Sequence, residues 1–135
     1  EVTRVRKMRR NDMACYKARA EAVRHAEVYR GAFAISVCPS EDVESPTIVG
    51  AQAANELLNI IGIKASFVLT EYAGKIYVSS RSIDEINVQL IMERMGGGGH
   101  LNVAGAQLVG CTISEAKHTI MRTIDEMLEE GDIQE

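Results

Sequence analysis

Four consecutive glycines at 96–99, directly before His100, constrain this chain more than any other stretch. Glycine has the backbone that is costliest to order, so a run of them inside a patterned region needs a physical reason. The run follows a segment in which Val88, Ile91, Met92 and Met95 recur at helical spacing, which predicts a helix with its apolar stripe against a core. Gly96 is suited to end that helix in the left-handed conformation. Three readings of the run stay open. It can be a flexible linker, although linkers usually mix serine with glycine and separate domains. It can be a helix stop and a tight turn, for which one or two glycines suffice. Or it can bring several bare N–H groups onto one anion, with a helix N-terminus after the loop adding to the pull. His100 would then donate a hydrogen bond to the same anion. The spacing is neither a Walker loop, since no Gly-Lys-Ser/Thr follows, nor the GxGxxG of a dinucleotide fingerprint.

The flanking segments set the fold class. "AFAISVC", 32–38, has the length and composition of a strand and is ended by Pro39. Ser45 and Pro46 open a helix running to Gly62, with Ile48, Ala51, Ala54, Leu58 and Ile61 on its inward face. "ASFVLTEYAGKIYVSSRS" gives two strands around Ala73–Gly74 and predicts an antiparallel hairpin. "GAQLVGC" reads as a further strand. "TISEAKHTIMRTIDEMLEE" starts with a capping box, Thr112 and Glu115, and turns Ile113, Ala116, Ile120, Ile124 and Met127 inward. Residues 1–30, basic and then rich in Ala, Arg and Glu with no breaker before Gly31, read as a connecting helix. The expected architecture is a single α/β domain with a mixed sheet of about four to five strands packed with helices. The connecting helix occupies 1–30, the domain 31–131 and a tail 132–135. His25 and His118 read as surface histidines.

At 135 residues the chain is about one domain. No window approaches the roughly 18–20 apolar residues of a membrane span, and no signal peptide is visible. The chain opens on Glu1, which reads as a piece of something longer, with membrane segments upstream left open. Cys15, Cys38 and Cys111 are odd in number and far apart, fitting neither a disulfide framework nor a zinc site. The net charge of −4 hides a split: residues 1–30 carry nine Lys/Arg against four Asp/Glu, and residues 31–135 carry six against fifteen. The basic run near the N-terminus is best read as a solvated linker or helix start. An acidic body excludes tight tracking of a long polyanion, so any phosphate must be held locally by a few aimed groups. Arg81, at a strand end in "SSRS", can offer a bidentate guanidinium to phosphate, and is equally suited to an ion pair with Asp84 or Glu85. Arg81 and the glycines bracket one helix, which lets them face one pocket.

"YVSSRS" followed by "INVQLIMERMGGGGHLNVAGAQ" resembles the C-terminal DHH-associated domain of the DHH-family phosphoesterases, and within them the GdpP-type cyclic-di-AMP phosphodiesterases. The resemblance covers residues 31–131. It implies a substrate-binding lobe packed against an upstream DHH lobe that carries two manganese ions, so this segment alone would hold no metal and be inactive. It implies that Gly97, Gly98, Gly99 and His100 hold a phosphate, His100 also assisting catalysis. Arg81 with Ser80 and Ser82 would hold a phosphate or ribose, and Asn87 and Asn102 would line the pocket. The implied ligand is cyclic di-AMP, or a short oligonucleotide if the relative is instead a nuclease of short RNA. A non-catalytic packing or oligomerisation module, and a homodimer, stay open. The implied location is a soluble, cytoplasm-facing segment of a membrane-anchored parent. The chain departs from the family pattern at Ser80, where some relatives have alanine, and at "NVAG", 102–105, nearer to the wider family's Asn-Ala-Ala-Gly.

Overall fold

A computed structural model describes residues 2–84 and 86–134, with side chains from Met13 onward. The side chains of the N-terminal basic run, and Glu85, lie outside the described residues. The elements in chain order are α1 (Val2–Arg24), β1 (Glu27–Tyr29), β2 (Phe33–Cys38), α2 (Pro46–Leu57), β3 (Ala65–Tyr72), β4 (Lys75–Ser82), α3 (Val88–Glu93), β5 (Gly98–His100), β6 (Val103–Leu108) and α4 (Ile113–Glu130). The six strands form one mixed sheet in the order β1-β2-β3-β4-β6-β5. Only β2 and β3 pair in parallel, joined through α2, and every other neighbour is antiparallel. No helix among the described residues is long and apolar enough to cross a membrane.

Two apolar layers sandwich the sheet, because each strand presents alternate residues to opposite faces. On one face Phe33, Ile35, Phe67, Leu69 and Val78 pack with Ile91 and Met92 of α3 and with Ile120, Ile124 and Met127 of α4. The predicted stripe of α3 is buried throughout, and the capping box of α4 is formed: Thr112 Oγ1 accepts from Glu115 N at 3.1 Å and Glu115 Oε1 from Thr112 N at 2.8 Å. On the other face Ala18 and Ala22 of α1 and Val49, Ala53 and Leu57 of α2 cover Ala34, Cys38 and Val68. Burial there pushes the Cys38 thiol up to about 11, with Cys15 adding to the shift. All three cysteines are free thiols.

Three expectations need correction. The N-terminal helix stops at Arg24, and 27–29 form a strand instead. Helix propensity there yields to tertiary pairing: β1 takes the edge beside β2, and the Tyr29 hydroxyl donates to Asp125 of α4 at 2.7 Å. That bond also raises the Tyr29 phenol above its usual value. Second, α2 ends at Leu57 and is rotated from the expected orientation. A Cβ on Gly50 would lie 2.4 Å from Thr70 Oγ1, so this glycine lets α2 settle close on β3. With Gly50 against the sheet, Ile48 is turned outward at 58 % exposure, and Ile61, beyond the helix end, is 99 % exposed. Third, the assumed tail contributes to the core. A Schellman turn at Gly131 (Asp132 N to Met127 O, 2.9 Å) brings Ile133 back to 4 % exposure.

The glycine run divides between two structural tasks. Gly96 N donates to Glu93 O at 3.1 Å and Gly97 N to Met92 O at 2.8 Å, closing α3 with Gly96 at φ +83°. Gly98–His100 then continue as an edge strand paired with β6, connected through Leu101 and Asn102. The carbonyls of that turn are pinned, Leu101 O by Val88 N at 2.9 Å and Asn102 O by Ser82 N at 3.0 Å. A Cβ on Gly97 would meet Gly105 O at 2.1 Å, and one on Gly99, at φ +146°, would meet Ala104 Cα and Val103 O at 2.5 Å. A Cβ on Gly98 would meet nothing within 4 Å.

These contacts set two expectations for stability, both read from urea unfolding midpoints. Leu57→Ala should cost about 2–5 kcal/mol, while Ile61→Ala stays within about 0.5 kcal/mol; equal effects would mean that α2 is rotated otherwise. Gly97→Ala and Gly99→Ala should each cost about 1–3 kcal/mol or more, whereas Gly98→Ala changes stability by less than about 1 kcal/mol.

Candidate functional site

Helical cover on the α1/α2 face reaches β2, β3 and part of β4, and no described helix covers β6 and β5 there. What that uncovered face displays follows from alternation along β4. Tyr77, Ser79 and Arg81 point to it, while Ser80 and Ser82 point into the core. The register then builds two cross-strand rows. Arg81 pairs with Val103, which pairs with His100; Ser79 pairs with Gly105, which pairs with Gly98. Residues directly opposite share a face, so Arg81 and His100 flank Val103 with their backbones about 10 Å apart, two strand spacings. Beside this row Gly98 and Gly105 leave the sheet surface bare.

Arg81 is half-buried, and its Nη1 donates to Ser80 O at 2.9 Å. Among the described residues no carboxylate lies within ion-pair distance of it, Asp84 included. Burial lowers the pKa of the guanidinium, which stays charged at neutral pH. Two other cations of this acidic body are paired: Arg94 reaches Asp132 at 2.6 Å, and Lys117 pairs with Glu27. Arg81 is thus a positive group on an open surface with donor capacity left over. His100 is exposed at the tip of β5.

The other expected site residues sit elsewhere. Ser80 is fully buried on the core face, and its Oγ has no hydrogen-bond partner among the described residues. Ser82, 5 % exposed, donates from Oγ to Ile86 O at 2.6 Å and accepts from Asn102 Nδ2 at 2.9 Å. Asn102 Nδ2 also reaches Asp84 O at 3.3 Å, and Asn87 Oδ1 caps α3 by accepting from Leu90 N at 3.2 Å. These three side chains brace the strand ends and the start of α3, and none of them faces the open surface. The glycine amides do not converge as a nest either. Those of Gly96 and Gly97 close α3, and an extended strand turns successive amides of 98–100 in opposite directions. A strand, not a helix N-terminus, follows the loop.

The reading of the sequence also missed residues. Thr47, Tyr77, Ser79, Gly105 and Gln107 join the expected Gly97 in lining an open groove of about 510 Å³ that continues the bare surface away from Arg81. Counting back from Arg81 in steps of two would have found Ser79 and Tyr77, in place of the adjacent Ser80 and Ser82. Gln107 and Thr47 had no such signal, since they arrive through the pairing of β4 with β6 and the seating of α2. Among the described residues no group of three or more His, Cys, Asp or Glu is placed to hold a metal ion, so the donor set for manganese is not met by them.

Comparison with known proteins fits this architecture. The chain is 40% identical over 122 residues to the cyclic-di-AMP phosphodiesterase PdeA of Listeria monocytogenes, covering 90% of this chain and 18% of that protein. It is 38% identical over 128 residues to the cyclic-di-AMP phosphodiesterase GdpP of Geobacillus thermodenitrificans, covering 94% of this chain and 19% of that protein. The chain thus spans about a fifth of the length of these relatives. Among solved structures, an exopolyphosphatase-related protein from Bacteroides fragilis superposes with a TM-score of 0.73 at 22% identity, over 84% of this chain and 34% of that one, a likeness of fold. Residues 31–130 match the DHHA1 domain, and the chain belongs to that family.

Proposed function

We propose that this domain is the substrate-binding lobe of a phosphodiesterase that hydrolyses cyclic di-AMP, with the nucleotide laid across the uncovered face of β4, β6 and β5. The observation that carries the reading is the row Arg81–Val103–His100 beside the bare Gly98–Gly105 surface. A guanidinium without a carboxylate partner among the described residues, placed where main chain is exposed, suits a phosphodiester oxygen. The activity of the relatives PdeA and GdpP supports the same substrate class.

In this reading Arg81 binds and orients a phosphate oxygen, and His100 donates a hydrogen bond from the opposite side of Val103. Gly98, the one glycine of the run that neither packing nor φ requires, leaves room for ligand to reach the strand. An upstream DHH lobe of the same polypeptide closes over the open face and carries the manganese ligands. The acidic body turns long strands away and leaves a short ligand as the one that a local site can hold.

The test uses the full-length protein. Arg81→Ala should lower kcat/KM for cyclic di-AMP by about 10- to 100-fold, the loss of a charge-assisted contact, while manganese content measured by elemental analysis stays unchanged. Loss of metal would move Arg81 out of substrate binding. Faster turnover of short RNA than of cyclic di-AMP by the unmodified protein would assign the lobe to a short-RNA phosphodiesterase.

A further inference from the structure

The groove extends beyond what one phosphate needs, and its far end is aromatic. Aromatic side chains are few in this chain, four tyrosines and two phenylalanines. Phe33 and Phe67 are in the core, Tyr29 is bonded to Asp125, and Tyr16 lies on α1 beneath Arg19. The remaining two, Tyr72 and Tyr77, meet on the open face with ring centroids 6.4 Å apart and planes at 47°. Tyr72 packs beside the Tyr77 ring, and Tyr77 lines the groove. Beside it the floor is Gly97 and Gly105, without side chains, so a flat ring can approach. Gln107, opposite Tyr77 in the β4–β6 register, offers an amide with both donors and an acceptor, and Thr47 offers a hydroxyl from the wall.

We propose that Tyr77, backed by Tyr72, is a stacking platform for a nucleobase, with Gln107 and Thr47 at the base edge, and that it takes the second base of a linear dinucleotide whose terminal 5′-phosphate is held at Arg81, since in a cyclic dinucleotide each base is one ribose from both phosphates. The inference rests on the substrate-binding reading above and adds ligand length to it. Tyr77 stands four residues from Arg81 on one face of one strand, about 13 Å along the sheet. That exceeds the reach between the phosphate and the base of a single nucleotide and matches the span of two linked nucleotides. Stacking on an aromatic ring tolerates any base, so selectivity among bases falls to the Gln107 amide.

The experiment measures dissociation constants of the full-length, manganese-loaded protein for two probes: a linear, 5′-phosphorylated di-adenylate with a phosphorothioate linkage, which resists hydrolysis, and AMP. Tyr77→Ala should weaken the di-adenylate by about 10- to 100-fold and leave AMP unchanged, while Tyr77→Phe, which keeps the ring, retains both affinities. Arg81→Ala should weaken both probes. The platform is refuted if Tyr77→Ala leaves the di-adenylate unchanged. It is equally refuted if Tyr77→Ala weakens both probes alike, since that marks a distorted hairpin and not a lost base contact. If Arg81→Ala affects neither probe, the substrate-binding reading fails, and the platform with it; if Arg81→Ala acts as expected and Tyr77→Ala does not, only the platform fails.

Discussion

The site depends on main chain packed so close to main chain that no side chain fits between. Gly97 and Gly99 lie where an added methyl group would overlap the backbone of 103–106, and a Cβ on Gly105 would meet Val78 O at 2.8 Å. This approach seats the β5–β6 hairpin against β4 and places His100 in the same row as Arg81. The two turn carbonyls, bonded to Val88 N and Ser82 N, then fix the hairpin against the start of α3 and the end of β4. Steric exclusion sets the position and hydrogen bonds hold it. The exposed surface that results is an outcome of packing on the hidden side of the same strands.

The sheet is covered unequally, and that inequality leaves one face of β4, β6 and β5 open. A half-buried antiparallel sheet can leave one side to water if the residues there are polar or small. Ser79, Arg81, Gly98, Gly105 and Gln107 meet that requirement, while Val103, 48 % exposed, does not. An apolar side chain between a guanidinium and an imidazole lowers the local polarity around both, which strengthens their attraction for an anion once water is displaced. On the proposed reading the acidic remainder of the body works in the same direction: a long polyanion would meet repulsion along most of its length, and a short one chiefly the local cation.

What could be read from the sequence follows the range of the interactions involved. The Met-rich stripe of α3, the capping box of α4 and the Ala73–Gly74 hairpin rest on residues within a few positions of one another, and all three are present as expected. The rotation of α2 rests on Gly50 meeting Thr70, twenty positions away, so Ile48 and Ile61 were placed inward and lie outside. β1 and β5, three residues each, exist because a neighbouring strand pairs with them, and neither has enough residues to show a period. Arg81 and His100, singled out in the sequence for their chemistry, stand in one cross-strand row through Val103. Ser80 and Ser82 were misplaced by treating adjacency in sequence as adjacency in space, which a strand forbids.

The same point explains why one short motif holds two kinds of residue. Ser82, Asn87 and Asn102 are polar and stand beside the site in sequence, yet their side chains bond to the frame: Ser82 to Ile86 O, Asn102 to Ser82 and Asp84 O, Asn87 to Leu90 N. Partners stabilise such buried or half-buried polar groups, and each of these side chains spends part of its hydrogen-bonding capacity on the frame. Arg81, His100 and the bare strand at Gly98 keep theirs. Strand alternation divides β4 in this way: Ser80 and Ser82 turn inward toward the frame, and Ser79 and Arg81, one step away, turn toward the open face with hydrogen-bonding capacity to spare.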